Sequence, residues 1–374
     1  MDNKPESEFS FDASAKLTKF MLKSVGLSLD AFAASELEKN KYWKVSQGIL
    51  FFFSYTCLFL SVIGEMIYFQ QAVINYTGFR KITAVAPCIG YCLLSLTKML
   101  TVSLNSKKIS EMYIELREMF PKDAENMIVI ESMKKSRKNM LQFVIPNIGL
   151  IMCFNSIPTV VMCIQYFRGQ ELTFSLPYLI WCFSWDCPFC LYTAHLCMHF
   201  RLLAQKMQTL KARTKSGLLD LQELRPCIEE HKKLIRFSEE IESIFSPSFL
   251  INFLDSSFMI CLSGFQITAG VDPEELITYI LFLTSALLQI NTLCSYGEQL
   301  IDTSSAITWA AYDSPWPDAD ASYKKCLQLI IQRAQRPQTY TALKFSQVSM
   351  ESFGSILKAS FSYFTLLRTV FNKN

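Results

Sequence analysis

The sequence predicts an all-α membrane protein: seven transmembrane helices, N-terminus cytoplasmic and C-terminus extracellular, with cytoplasmic helical extensions forming an anchor bundle. Three observations predict it. Apolar residues make up 51% of the 374-residue chain and charged ones 18%, where ordinary soluble domains carry about 25% charged residues. The charges leave gaps about as long as the ~20 helical residues that cross a bilayer core. Lys and Arg also crowd onto alternate connections between those gaps.

Taken in order, the first span falls between Lys44 and Glu65, which bracket 20 uncharged residues. The third falls between Lys138 and Arg168, with 29, and the sixth between Glu275 and Glu298, with 22. Three more cross with one ionisable residue each: 82–104 with Lys98, 172–200 with Asp186, and 244–271 with Asp255. Charges inside a bilayer are costly, so Asp186 and Asp255 are expected to face the bundle interior, either paired there or functional. The seventh block, 345–367, is interrupted by Glu351 and Lys358 and rich in Ser and Thr.

Seven spans put the termini on opposite sides, and the basic bias orients them. The N-terminal segment and the second, fourth and sixth loops hold 29 Lys and Arg, against 5 on the other side. The division expected is a cytoplasmic segment over 1–44, spans one to six with cytoplasmic helical loops over 45–297, a cytoplasmic loop and anchor helix over 298–344, and the seventh span with a short extracellular C-terminus over 345–374. The one N-x-[ST] sequon, Asn75-Tyr76-Thr77, lies in the first loop, on the predicted outer side, which makes Asn75 the glycosylation candidate. Residues 1–44 lack an apolar signal-peptide core, so the first span is expected to act as its own insertion signal. A cytoplasmic N-terminus, with no cysteine in a predicted outer loop, argues against the G-protein-coupled arrangement of seven spans.

In the last span Glu351, Ser355, Lys358, Ser362, Thr365 and Thr369 recur at alternating spacings of four and three, which is one helical face. Phe353, Leu357, Phe361 and Phe364 are expected opposite. A polar stripe at membrane depth has to meet water or another polar stripe, so the reading is either an axial pore ringed by several subunits or a non-conducting helix seam. Leu366 and Val370, one turn apart near the outer end, are either a ring that closes such a pore or two lipid-facing aliphatics. Two connections also read as helices: Leu221, Leu224, Ile228, Leu234, Ile235, Ile241 and Ile244 keep helical spacing among charges, as do Cys326, Leu327, Ile330 and Ile331 within 321–334. Pro315 and Pro317 precede the second and Pro337 follows it.

Other classes find no support. A net charge of +3 without basic runs interleaved with aromatics gives nucleic acid no surface. There is no phosphate loop, G-x-S-x-G or paired catalytic carboxylate, so neither enzyme nor cofactor is expected. Most of the 13 cysteines sit in apolar blocks and read as reduced packing residues, Cys187-Pro-Phe-Cys190 included. His195 and His199 have metal-ligand spacing but no third ligand, and read as packing.

The last quarter resembles the insect odorant receptors. Cys294, Gly297 and Leu300 close the sixth span, Tyr312 and Trp316 follow, and the likeness culminates in Leu343-Lys344-Phe345, Ser349, Phe353, Ile356-Leu357-Lys358 and Ser362-Tyr363-Phe364-Thr365-Leu366-Leu367. The resemblance implies a subunit of a tetrameric, odorant-gated, non-selective cation channel in the plasma membrane of olfactory neurons, assembled with a shared coreceptor. It implies that the last span lines the pore, with Ser362 on its polar stripe, the gate at Leu366, and Thr369 and Val370 in the same constriction. The coreceptor's longer loop between spans four and five is absent here, which points to the ligand-tuning subunit. A gustatory receptor of the same superfamily and, more remotely, a transporter are the alternatives.

The family binds small volatiles among spans two, three, four and six, which directs attention to helical faces bearing aromatic and small polar groups. Those faces are Thr83, Pro87 and Tyr91 on span two; Phe154, Pro158 and Met162 on span three; Tyr178, Trp181 and Trp185 on span four; and Tyr279 with Leu283 on span six. Singly, each also fits core packing or lipid contact.

Overall fold

The computed structural model describes residues 10–27, 29, 41–75, 79–121, 126–167, 182–210, 217–270, 273–314 and 316–371. It holds ten α-helices among them: α1 (Phe11–Ser24), α2 (Lys41–Ile74), α3 (Phe79–Leu104), α4 (Ser106–Met119), α5 (Met127–Phe167), α6 (Cys187–Gln208), α7 (Gly217–Thr268), α8 (Pro273–Tyr312), α9 (Ala321–Ala334) and α10 (Met350–Phe371). By length and composition, α2, α3, α7 and α8 are long and apolar enough to cross a membrane among the described residues. The α2 surface makes the case physically. Phe52, Phe53 and Leu60 are all more than half exposed, and a helix that leaves such large apolar side chains uncovered on its outer face requires a lipid solvent.

The expected amphipathic connection and the fifth span are one continuous helix, the 52-residue α7, while α8 runs 40 residues. At ~1.5 Å rise per residue both far exceed a bilayer core of ~30 Å. Each therefore projects well beyond it. The helix expected over 321–334 is α9, started by Asp320, whose carboxylate accepts from Tyr323 N at 3.0 Å. Leu327 and Ile330 of α9 are buried, as are Leu224, Leu234 and Ile241 of α7, so the apolar stripes face a shared core.

Two features went unread in the sequence. Residues 11–24 form an amphipathic helix capped by Ser10, and its buried Phe11, Met21 and Leu22 dock on α4 and α6: the Phe11 ring lies 5.2 Å from Tyr113 and 4.9 Å from His195. Gly26 ends this helix at φ +85°, and any Cβ there would meet the Gln47 carbonyl and Phe51 N at 2.6 Å, so only glycine lets the chain pass α2 so closely. Ahead of α10 stands a hairpin, β1 (Thr341–Ala342) paired antiparallel with β2 (Ser346–Gln347). Its three-residue turn, 343–345, places Leu343 and Lys344 at φ 48° and 63°, a costly conformation for side-chain-bearing residues. Ser246 of α7 holds it there, donating to the Thr341 carbonyl at 2.6 Å and accepting from Leu343 N at 2.8 Å, while Thr341 Oγ1 donates to Glu242.

In the charged half of α7, burial, reinforced by the Arg333 guanidinium, pushes His231 down to about 4 from the usual 6.5. The unfolded chain then binds a proton that the folded chain refuses between those values. Stability is full above pH 6.5 and falls as the pH drops toward 4. The melting temperature of the purified chain is expected to decline through that window, and more steeply than that of His231→Gln.

Candidate functional site

Two polar layers cross the interior where α3, α5, α8 and the start of α6 meet. In the first, Tyr91 of α3 is buried with its hydroxyl 3.4 Å from Ser285 Oγ of α8, and Ser285 donates to Asn147 Oδ1 of α5 at 3.4 Å. Asn147 Nδ2 is committed to the Phe143 carbonyl at 2.7 Å, which fixes its amide. The Phe282 ring closes on Tyr91 at 6.1 Å. Distances near 3.4 Å are long for hydroxyl hydrogen bonds, so these groups are held in line without being tightly bonded to each other.

About two helical turns along α3 and one along α8 lies the second layer. Lys98 Nζ reaches Asp186 Oδ2 at 2.6 Å, and Gln289 Nε2 donates to the same oxygen at 3.0 Å. Lys98 is 1% exposed and Asp186 5%, so the pair is fully desolvated. Asp186 sits in the step between a short 3-10 turn (Cys182–Trp185) and α6; the fourth segment is thus not one unbroken helix across 172–200. Asp255 of α7 packs across from Gly90 of α3, where a Cβ would collide with its Oδ1.

Of the residues expected around a ligand, Tyr91, Tyr279 and Trp185 are buried in this region and Leu283 half-buried, with the Trp185 ring set perpendicular to Phe51 at 6.4 Å. Pro87 is buried on the same α3 segment. Thr83 is directed elsewhere: its Oγ1 accepts from Gln266 Nε2 of α7 at 2.9 Å, a helix-to-helix bond. Phe154, Pro158 and Met162 fall on α5, but their side chains, like Tyr178 and Trp181 altogether, lie outside the described residues. Ser285, Asn147, Phe282 and Gln289 were missed. Tyr279, Phe282, Ser285 and Gln289 recur at three and four along α8, so the period was visible, but small polar residues in an apolar run do not announce which neighbour they meet.

The last helix divides as the stripe foresaw, with one correction. Glu351, Ser355, Lys358, Ser362, Thr365 and Thr369 are all exposed, and so are Leu366 at 61% and Val370 at 47%. Phe361, expected opposite, is also exposed; the packing face instead runs through Phe353, Ile356, Ser360 and Phe364. Ser360 is fully buried, 2.7 Å from the Ile356 carbonyl oxygen and 3.3 Å from Ser257 Oγ of α7. Phe364 touches Gly264, and Phe371 meets Phe265 edge-on at 5.3 Å. Along the outward stripe, Thr365 and Thr369 donate to the Ser362 and Thr365 carbonyls, both at 2.8 Å, which satisfies their protons within the helix.

Asn75 is exposed at the end of α2, and the other two sequon residues lie outside the described set. His195 Nε2 lies 2.9 Å from Ser14 Oγ among Phe11 and Phe120, a packing arrangement. Cys187 and Cys190 are buried and unbridged.

Comparison with known proteins gives this geometry its context. The model of the 7tm odorant receptor family matches residues 178–361. Odorant receptor 85c of Drosophila melanogaster is 26% identical over 96% of this chain and 99% of its own length; odorant receptor 67c of the same species is 26% identical over 84% and 86%. Among solved structures, the insect olfactory receptor OR5 from Machilis hrabei in complex with eugenol superposes with a TM-score of 0.80 at 16% identity, covering 96% of this chain and 97% of that one. The matched segment, about half of the chain, takes in Asp186, the α8 polar positions, the anchor helices and the first half of α10, and over it this chain is similar to the insect odorant receptors.

Proposed function

We propose that this protein is the odorant-binding, ligand-tuning subunit of an odorant-gated, non-selective cation channel, working with shared coreceptor subunits in the plasma membrane of olfactory sensory neurons. The observation that carries the reading is the buried layer of Tyr91, Ser285 and Asn147, flanked by Phe282 and Tyr279, in an otherwise apolar interior. An apolar enclosure with a few convergent hydroxyls and amides is what a small volatile requires. Dispersion and area burial supply the affinity and one hydrogen bond sets the orientation. The related receptor of Machilis hrabei has been solved with eugenol, an aromatic volatile of this kind.

The pore reading rests on α10. Its outward face carries Ser362, Leu366, Thr369 and Val370, and a single helix cannot enclose a channel, so the lumen needs several subunits. Trp309 and Tyr312, 70% and 58% exposed on α8 beside α9, offer the apolar surface that contact between subunits would cover. The positive-inside bias places these long extensions in the cytoplasm and Asn75 outside, available for glycosylation. Lys358 shares the outward face, and pairing with coreceptor subunits lowers the number of such cations in one ring.

The test is odorant-evoked whole-cell current in cells expressing the chain with and without an insect coreceptor, with G-protein signalling blocked. Fast cation current only with the coreceptor is expected; silence across a broad volatile panel, with surface expression confirmed, sinks the reading. In the same cells Leu366→Ala, with or without Val370→Ala, is expected to raise current without odorant several-fold, because a smaller apolar ring excludes water less well.

A further inference from the structure

At the basic end of the bundle, α5, α6 and α8 enclose a small cleft that odorant gating does not use. It is lined by Ser132, Lys135, Ser136 and Asn139 of α5, by Cys197 and Arg201 of α6, and by Tyr296 and Gln299 of α8, among others. No carboxylate lines it, and neither Lys135 nor Arg201 has an ion-pair partner among the described residues. Two buried hydroxyls on its walls are unsatisfied: Tyr296, 2% exposed, and Ser132, 7% exposed, have no hydrogen-bond partner. An unmet buried hydroxyl is costly, so two of them beside two unpaired cations describe a site lacking its anion. The free space is about 10 Å³, which one oxygen atom fills, with the rest of the anion left in the mouth between the two cations.

Position narrows the ligand. The lining residues of α5 straddle the step from its basic turn to the 29 uncharged residues that start at Asn139, the level at which lipid headgroups lie. The outer face of the same turn carries Lys134, Arg137 and Lys138, followed by Leu141 and Ile145, both exposed, along a groove of about 500 Å³. Cations below and exposed aliphatics above fit an anionic headgroup and its acyl chain. We propose that this cleft binds a phosphate group, with one oxygen accepting from Tyr296 and Ser132 and the remaining charge held by Lys135 and Arg201. An inner-leaflet anionic phospholipid and a free cytosolic phosphate share that chemistry. The site does not depend on the odorant reading, because no residue of the ligand layer takes part.

Two arms separate the sources. The purified full-length chain is placed in phosphatidylcholine nanodiscs, and its melting temperature is followed as phosphatidylinositol bisphosphate is added to the bilayer or inorganic phosphate to the buffer. A rise with the lipid alone assigns a lipid headgroup, and a rise with inorganic phosphate assigns a soluble source. Lys135→Gln with Arg201→Gln is expected to weaken the effective arm about five-fold per cation removed. Tyr296→Phe keeps the ring and its packing, and is expected to weaken it about ten-fold. Should the double variant fail to fold, the Tyr296→Phe comparison still decides. No rise in either arm, or a rise that survives both variants unchanged, overturns the proposal.

Discussion

Asp186→Ala is expected to cost about 3–5 kcal/mol, enough to abolish monodisperse receptor in fluorescence-detected size exclusion. The substitution leaves the Lys98 ammonium, 1% exposed, in an apolar interior with its carboxylate gone. Gln289, which donates to the same carboxylate, cannot replace it, since its amide is neutral and supplies no opposite charge. Lys98→Ala is expected to be damaging for the mirror reason. The informative comparison is the double variant Lys98→Met with Asp186→Leu. Removing both charges removes the need for compensation, so most of the folded yield should return. If the single Asp186 variant folds as well as the parent, the pair is not structural. If the double variant folds but responds weakly to odorant, the layer also serves gating, because it joins α3, α6 and α8 one helical turn from Ser285.

Gly297→Ala is the second large effect, expected at about 3 kcal/mol or more. A Cβ at this point of α8 would fall on the carbonyl oxygen of Val348, with the Val348 carbonyl carbon at 2.9 Å and Cγ1 at 3.0 Å. What it meets is backbone. That backbone is tied down, since Val348 N donates to the Tyr340 carbonyl at 2.9 Å and Tyr340 is completely buried. The methyl group therefore pushes the hairpin, and with it the start of α10, off α8. Loss of surface expression and of evoked current together is the expected result. Gly354→Ala is the control: its Cβ would meet nothing within 4 Å, and in mid-helix alanine is favoured by about 0.5–1 kcal/mol. A Gly297 variant as stable as this control would show that α8 and the hairpin are not in close contact.

Both effects depend on contacts invisible in the sequence. The α9 helix was legible to the residue, because an apolar stripe and bracketing prolines are both local. The polar stripe of α10 was legible for the same reason. Its apolar side was misjudged at Phe361, since the packing face is set by where α7 presents Ser257 and Gly264, not by the helix alone. The buried polar layer around Tyr91 was half legible. Tyr91 and Tyr279 were singled out from their faces, while Asn147 and Ser285 were missed because their meaning lies in Ser285 meeting Tyr91 across 194 positions of sequence and Asn147 across 138.

By itself the sequence showed where the apolar segments lie, how basic residues are biased among the connections between them, and where helical stripes run. Charge exclusion from hydrocarbon and the 3.6-residue period act along the chain and need no partner. Tertiary structure alone decided that Lys98 takes Asp186, that an amphipathic N-terminal helix docks on α6, and that two strained residues turn the chain into its last helix. Those outcomes are fixed by which helices lie side by side, and burial makes each choice binding, since an unpaired charge or a misplaced methyl in a dry interior has no solvent to relieve it.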